Sequence, residues 1–367
     1  MSASMEGGVA EATTMVGLGR SITRRTAPRP LFSSTSAPRP GSEALEQAIE
    51  QARDHLLGLR HPDGYWLGEL EGDTILESEY VLLKAFLGQE QDEDAALMCR
   101  YIYEHQRPEG GWSIYPGGPF EISASVKAYF ALKLVGLSTA DPAMVRAREL
   151  ILEAGGVRAC NSFTRFYLAL LGQLDYNECP TVPPELIFLP RWLGICLGEM
   201  SAWTRTIVMP LAIMSAIKPR RVLPPHQGID ELFRHDLPIP SRRHDRLLSW
   251  TNFFLSVDKV LKGLERVVPR SWRRPGIRAA HRWILDHFEN SDGLGAIFPP
   301  MIYTIVMMKA LGYEESSPSY RWAIGKLEEL MIKENGSIRV QPCLSPVWDT
   351  AISAIALADS GVGPEHP

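Results

Sequence analysis

The stretch CRYIYEHQRPEGGW, Cys99–Trp112, decides the fold. It reads as the end of a helix and a tight turn carrying Gln106, Gly110 and Trp112, followed by a more apolar helix that closes at Gly136. Glycine permits the turn, and tryptophan buries a large surface where two helices meet. The same unit recurs at Gln51–Gly88 around PDGYW, at His281–Gly312 around SDGLG and at Tyr320–Gly361 around ENGS. The closing glycines Gly88 and Gly136 lie 48 residues apart, and Gly312 and Gly361 lie 49 apart. A two-helix unit of that length cannot bury its own apolar face and must stack on copies of itself. Trp66 and Trp112 are therefore read as scaffold rather than chemistry.

Around these turns nearly every segment from Ser42 onward carries helical periodicity. Ile75–Leu87 and Met301–Leu311 are apolar nearly all round, whereas Ala44–Leu57 and Ala323–Ile332 have one polar face. Apolar helices alternating with amphipathic ones describe inner helices wrapped by outer ones. The expectation is an all-α fold, a double-layered α/α barrel, with no large strand-like segment. Thr74-Ile-Leu-Glu77 reads as a capping box, and Ser317-Pro318 and Ser345-Pro346 as helix starts. Five prolines make Lys218–Asp245 an excursion from the repeat. Residues 1–42, rich in Ser, Thr, Ala, Gly and Pro, read as a disordered extension.

Composition narrows the class. The chain has 367 residues, 45% hydrophobic and 22% charged, enough for a sizeable core. No apolar run approaches the length of a membrane-spanning helix. Its 5 cysteines are scattered, which fits free thiols in a reducing compartment. The net charge of −5 conceals 15 basic against 6 acidic residues between Lys218 and Arg282. Such a basic face suits an anionic surface, either phospholipid head groups or nucleic acid.

Familiar catalytic signatures are absent from the sequence: no paired-histidine or paired-cysteine metal motif, no phosphate loop, no nucleophile elbow and no dinucleotide fingerprint. No two aspartates are adjacent. Neither a metal nor a cofactor is expected. What stands out is aromatic: Phe163, Trp203, Tyr303 and Trp348 lie in or near the starts of predicted inner helices. Ring faces lining a cavity stabilise carbocations; for any single ring core packing is the safer reading, and the case rests on the set. Glu79 sits in a helix with little polar surface, where a structural pairing would account for it. Asp349 occupies a first helical turn, where the helix dipole favours a carboxylate.

Together these stretches resemble the squalene–hopene cyclases, the bacterial triterpene cyclases. The resemblance covers roughly 43–367 and rests on GYWLGELEGDTILESEYVLLKAFLG, the run from HQRPEGGW through YPGGP, NSFTRFYLALLGQ, SAWTRTIVMPLA, DGLGAIFPPMIY and LSPVWDTAISAIAL. It implies two α/α barrels, one inserted into the other. Residues 71–343 would be the inserted barrel, with 43–70 and 344–367 the opening pieces of the second, catalytic one. It further implies a substrate such as squalene, cyclised through cations to hopene or hopanol in hopanoid biosynthesis, an isomerase or lyase chemistry.

On that pattern Trp203, Phe163, Ile297, Pro299, Tyr303 and Trp348 match cavity positions, and Glu79 and Asp349 match a polar network. The family's Asp-x-Asp-Asp acid is missing, so no catalytic residue is expected in this chain, and another chain would supply the C-terminal half. Lys127, Asn161 and Phe298 depart from residues that some relatives carry, as do Arg60, Phe288 and Leu294 in the repeat turns. The family is monotopic. Trp250–Val268 would then dip its apolar face into one leaflet, flanked by Arg242, Arg243, Arg273 and Arg274, at the cytoplasmic face of the cell membrane; the alternative is a helix packed on the barrel. No nucleic-acid partner is implied. A non-catalytic truncated product, a stand-alone isoprenoid-binding barrel and, more distantly, a protein prenyltransferase β-subunit are the competing readings.

Overall fold

Side-chain caps start six of the twelve α-helices in the computed structural model, which describes residues 42–193, 196–236, 249–267, 269–288 and 291–366. Asp73 caps α2 (Thr74–Leu87), Asp92 caps α3 (Glu93–Glu104) and Glu121 caps α4 (Ile122–Leu134), each accepting a backbone N–H of the first turn. Asp141, Asn161 and Ser201 do the same for α5 (Pro142–Glu153), α6 (Ser162–Leu170) and α7 (Ala202–Ile217). Before them lies α1 (Ser42–Gly58). After them come α8 (Trp250–Val267), α9 (Arg274–Asp286), α10 (Phe298–Ala310), α11 (Pro318–Glu328) and α12 (Pro346–Asp359).

The two expected layers are present. Helices α2, α4, α6, α7 and α10 are buried nearly all round, while α3, α5, α9 and α11 each bury one stripe against them. The inner helices run parallel. At one end the Asn161 N–H bonds Ser123 Oγ, which puts the start of α6 beside the start of α4. At the other, Arg221 bonds the carbonyls of Leu170 and Ala85, and Gln91 bonds that of Leu134, all at helix ends. The described part of the proline-rich excursion, residues 218–236, is a plug across that second end: Leu223, Ile229 and Leu232 are buried in the core, and Arg221–Glu90 and Lys133–Glu231 ion pairs strap it down.

Trp112 explains the repeat. Its indole Nε1 donates to Ile102 O at 2.7 Å, and Trp66 Nε1 donates to Leu56 O at the same 2.7 Å. The turn then docks on an inner helix: the Trp112 N–H bonds Ser125 Oγ of α4 at 2.8 Å. Trp66 does the equivalent, yet its N–H bonds Thr350 Oγ1 of α12 at 2.9 Å rather than any residue of α2. The partner that α2 would otherwise lack comes from far along the chain, because the Val340 N–H bonds Glu77 Oε1 at 2.6 Å. The units Gln51–Gly88 and Tyr320–Gly361 therefore exchange their inner helices, a correction to the sequential reading of the repeat.

Two further expectations fail locally. ENGS is not a helix–helix turn: Met331–Glu334 (β1) and Ser337–Val340 (β2) form an antiparallel hairpin closed by Asn335 and Gly336, at φ 53° and 72°. Positive φ at both central residues is what a tight hairpin demands, and Asn-Gly supplies it. The capping box is also absent. Asp73 caps α2 through Ile75 N, which leaves Glu77 free to reach Val340.

Candidate functional site

Four polar side chains, one from each of four inner helices, meet inside the barrel. Lys127 Nζ lies 2.6 Å from Glu79 Oε1, and the Tyr167 hydroxyl donates to Glu79 Oε2 at 2.8 Å. Tyr303 hydrogen-bonds Tyr167, with the rings 5.8 Å apart. Each of the four is the sixth residue of its helix, so they form one layer of a ring of parallel helices. Burial, with the nearby Glu79 charge, holds both phenols well above their usual range. Sequence reading flagged Lys127 only as a departure and missed Tyr167.

The rim lies one turn higher. Phe163 and Pro299 stand four residues before Tyr167 and Tyr303, on the same helix faces. Trp203 is the second residue of α7, the level that Phe163 and Pro299 occupy on α6 and α10. Phe163 is 49% exposed and Trp203 63%, whereas Tyr303 is buried in the layer beneath. Gly295 is pressed against α7: a Cβ there would lie 2.4 Å from Thr206 Oγ1. Ile297 follows, its backbone bridging Cys343 shortly before α12, on which Trp348 is 69% exposed. Asp349 does not join Glu79. Its carboxylate accepts the Gly68 N–H and the Ser345 hydroxyl, tying the Trp66 segment to α12.

The conspicuous Phe-Thr-Arg stretch has a structural explanation. Arg165 is buried and donates to the carbonyls of Cys160, Glu178 and Arg158, clamping two loops at the rim. Glu77 is the most unusual carboxyl. Burial, reinforced by the Asp73 charge, pushes it up to about 8 despite the Val340 bond, and its Oε2 has no partner. Asp73 is raised to about 6, again chiefly by burial, against the Ile75 bond and Lys127. Among the described residues no cluster of three or more metal-ligating side chains occurs.

These features have known counterparts. The profile of the squalene–hopene cyclase N-terminal domain matches residues 49–336. The chain belongs to this family. It is 40% identical to a squalene–hopene cyclase of Zymomonas mobilis over 331 residues, covering 88% of this chain and 50% of that protein. A squalene–hopene cyclase of Bradyrhizobium diazoefficiens is 38% identical over 87% of this chain and 49% of its own length. Dammaradiene synthase of Dryopteris crassirhizoma is 35% identical, over 88% and 47%. The chain thus spans about half the length of the curated relatives it matches.

A second surface belongs to α8. Its polar side holds it to the body: Asp258 Oδ1 accepts the Thr181 N–H, and Glu265 pairs with Lys218 and Arg273. Trp250, Phe254, Val260, Leu264 and Val267 are left exposed, at 76, 56, 62, 50 and 76%. Arg273, expected among the outward cations, is instead an internal strut between Glu265 and Glu185. Arg274 is exposed, while Arg242, Arg243 and Val268 lie outside the described residues. No described helix is long and apolar enough to cross a membrane.

Proposed function

We propose that this chain is the N-terminal part of a squalene–hopene-type cyclase and supplies one wall of the aromatic cavity in which squalene, or a related linear isoprenoid, is cyclised to a hopanoid. The observation that carries this reading is the rim of Phe163, Trp203, Ile297 and Pro299, with Trp348 exposed on α12, aromatic and open above inner helices that are otherwise buried. Rings facing a dry cavity stabilise the successive cations of such a reaction. Protonating an alkene needs an unusually strong acid. Asp73 and Glu77 are shifted in the opposite direction, to about 6 and 8, and there is no Asp-x-Asp-Asp in the sequence. The acid therefore comes from a separate segment, equivalent to the other half of the relatives.

The inner-helix exchange supports a two-barrel arrangement: residues 71–343 as one barrel, and 43–70 with 344–367 as the start of another. Helix α12 has the composition of an inner helix, yet Val347, Ile352 and Ile355 are 84, 51 and 63% exposed, a face suited to packing against further helices. Incubated with squalene in detergent, the chain alone is expected to yield no cyclised product. Adding a polypeptide corresponding to the remaining half of the Zymomonas mobilis relative is expected to yield one. A hopanoid from the chain alone would overturn the assignment of the acid to another segment.

The outward apolar face of α8 supports a peripheral seat on one leaflet, at the cytoplasmic face of the cell membrane, with the surrounding cations facing anionic head groups. The chain is expected to float with anionic phospholipid vesicles at low salt. Trp250→Ser with Phe254→Ser is expected to leave most of it in the pellet fraction, and flotation unchanged by that pair would remove α8 from the contact.

A further inference from the structure

The segment entering α2 carries acids at alternate positions, Glu69, Glu71 and Asp73, and alternation in extended chain points them to one side. Glu69 is spent on a bidentate pair with Arg339, at 2.5 and 2.8 Å. Glu71 and Asp73 have no cation within salt-bridge distance among the described residues; they line a cavity of about 500 Å³ between this segment and the 105–118 loop. That volume is the size of a small-molecule site. Tyr101, Trp112 and Tyr115 frame it. The one arginine in its wall, Arg107, is paired with Glu109 at 3.2 Å, so the lining keeps an excess of negative charge.

The walls are held rigidly. Gln106 bonds Ala143 O and Arg146, and Gly110 and Gly111 sit at φ 106° and 66°, where a Cβ would strike Arg146 and Phe120. Thr74 lines the cavity and is 6% exposed, and its buried hydroxyl has no hydrogen-bond partner. Asp73 uses one oxygen to cap α2, and Lys127, Glu79 and Glu121 act on it from the barrel side. Burial first, then the charges of Glu77 and Glu71, pushes Tyr101 up to about 12.

We infer that this cavity binds an organic cation, an ammonium or guanidinium group, between the carboxylates of Glu71 and Asp73 and the exposed ring of Tyr115, the Tyr101 ring being stacked on His105 at 3.9 Å. A metal ion does not fit, because no three ligating side chains converge among the described residues. A flat or alkylated cation does, since it satisfies two carboxylates and lies against an aromatic face at once. The cation can be a free amine or a basic side chain of a polypeptide. The inference does not rest on the cyclase reading, and neither depends on the other's outcome.

Isothermal titration of the full chain with agmatine, and separately with acetyl-Gly-Arg-Gly-amide, tests it. Saturable one-site binding is expected, weakened about tenfold by Glu71→Gln and again by Asp73→Asn, the scale of one charge-assisted hydrogen bond each. Glu149→Gln, on the outer face of α5, is expected to change nothing. Tighter binding of the tripeptide assigns the site to a polypeptide side chain, and tighter binding of agmatine to a free amine. Absence of saturable binding by both, or affinity indifferent to Glu71→Gln, overturns the proposal. Glu71 is exposed and caps no helix, so that variant reports even if Asp73→Asn fails to fold.

Discussion

Lys127→Met is expected to cost about 3–5 kcal/mol of folding stability in urea unfolding, the usual penalty for stranding one member of a buried ion pair. The Lys127 and Glu79 side chains are only 3% and 6% exposed, so the stranded Glu79 carboxylate would keep just the Tyr167 hydroxyl. The double variant Glu79→Gln with Lys127→Met is expected to recover most of the loss, because a glutamine oxygen still accepts from Tyr167 and no charge remains. Tyr167→Phe alone is expected to cost about 1.5–3 kcal/mol, one hydrogen bond to a charged group. A loss below about 1 kcal/mol for Lys127→Met, or a double variant no better than the single, would contradict the network as drawn. The functional consequence is positional: the layer pins α2, α4, α6 and α10 at the depth from which Phe163 and Pro299 project.

Glu77→Gln is expected to remove most of a pH dependence that the native chain shows between about pH 4.5 and 8. Glu77 is raised from 4.5 to about 8 in the fold, so the folded state holds a proton that the unfolded state releases. Stability from this group is full below pH 4.5, falls as pH rises, by at most about 1.4 kcal/mol per pH unit, and levels off above 8. Asp73, raised from 3.8 to about 6, adds a fall of the same sign over a lower window. In Glu77→Gln the amide oxygen keeps the Val340 bond, and its NH2 supplies a donor where Oε2 now has no partner. Denaturation midpoints at pH 5 and pH 8 should therefore converge in the variant, with the gain at pH 8. Parallel curves for the two proteins would assign the dependence elsewhere.

The two layers were legible because a buried helix and a surface helix write different periodicities, as Met301–Leu311 and Ala44–Leu57 do. The exchange of inner helices was not legible in the repeat itself; only the family resemblance set 43–70 with 344–367. Trp66 and Trp112 carry the same local signal, and nothing near Trp66 says that its partner is Thr350, 284 residues away. Glu77 failed for a related reason: a capping box is a local rule, and a carboxyl drawn off by a backbone N–H 263 residues distant obeys no local rule. The hairpin was readable. Asn335-Gly336 is the strongest short hairpin signal, and the expectation of another repeat turn overrode it. Periodicity marked α8 as amphipathic but did not say which face meets the body, and Arg273 was misplaced with it. Of the aromatic set, helix position alone put Phe163, Trp203 and Pro299 on one level; burial moved Tyr303 one turn down.

The central claim is that Phe163, Trp203 and Trp348 form a wall along which an isoprenoid lies. Quenching of tryptophan fluorescence by a terminally brominated squalene analogue tests it directly once the other exposed indoles, Trp192, Trp250 and Trp272, are replaced by phenylalanine, which leaves Trp203 and Trp348 open while Trp112 is fully buried. Saturable quenching is predicted, reduced by more than half in Trp203→Phe with Trp348→Phe. Quenching that is non-saturable, or that persists undiminished in that double variant, would contradict the account.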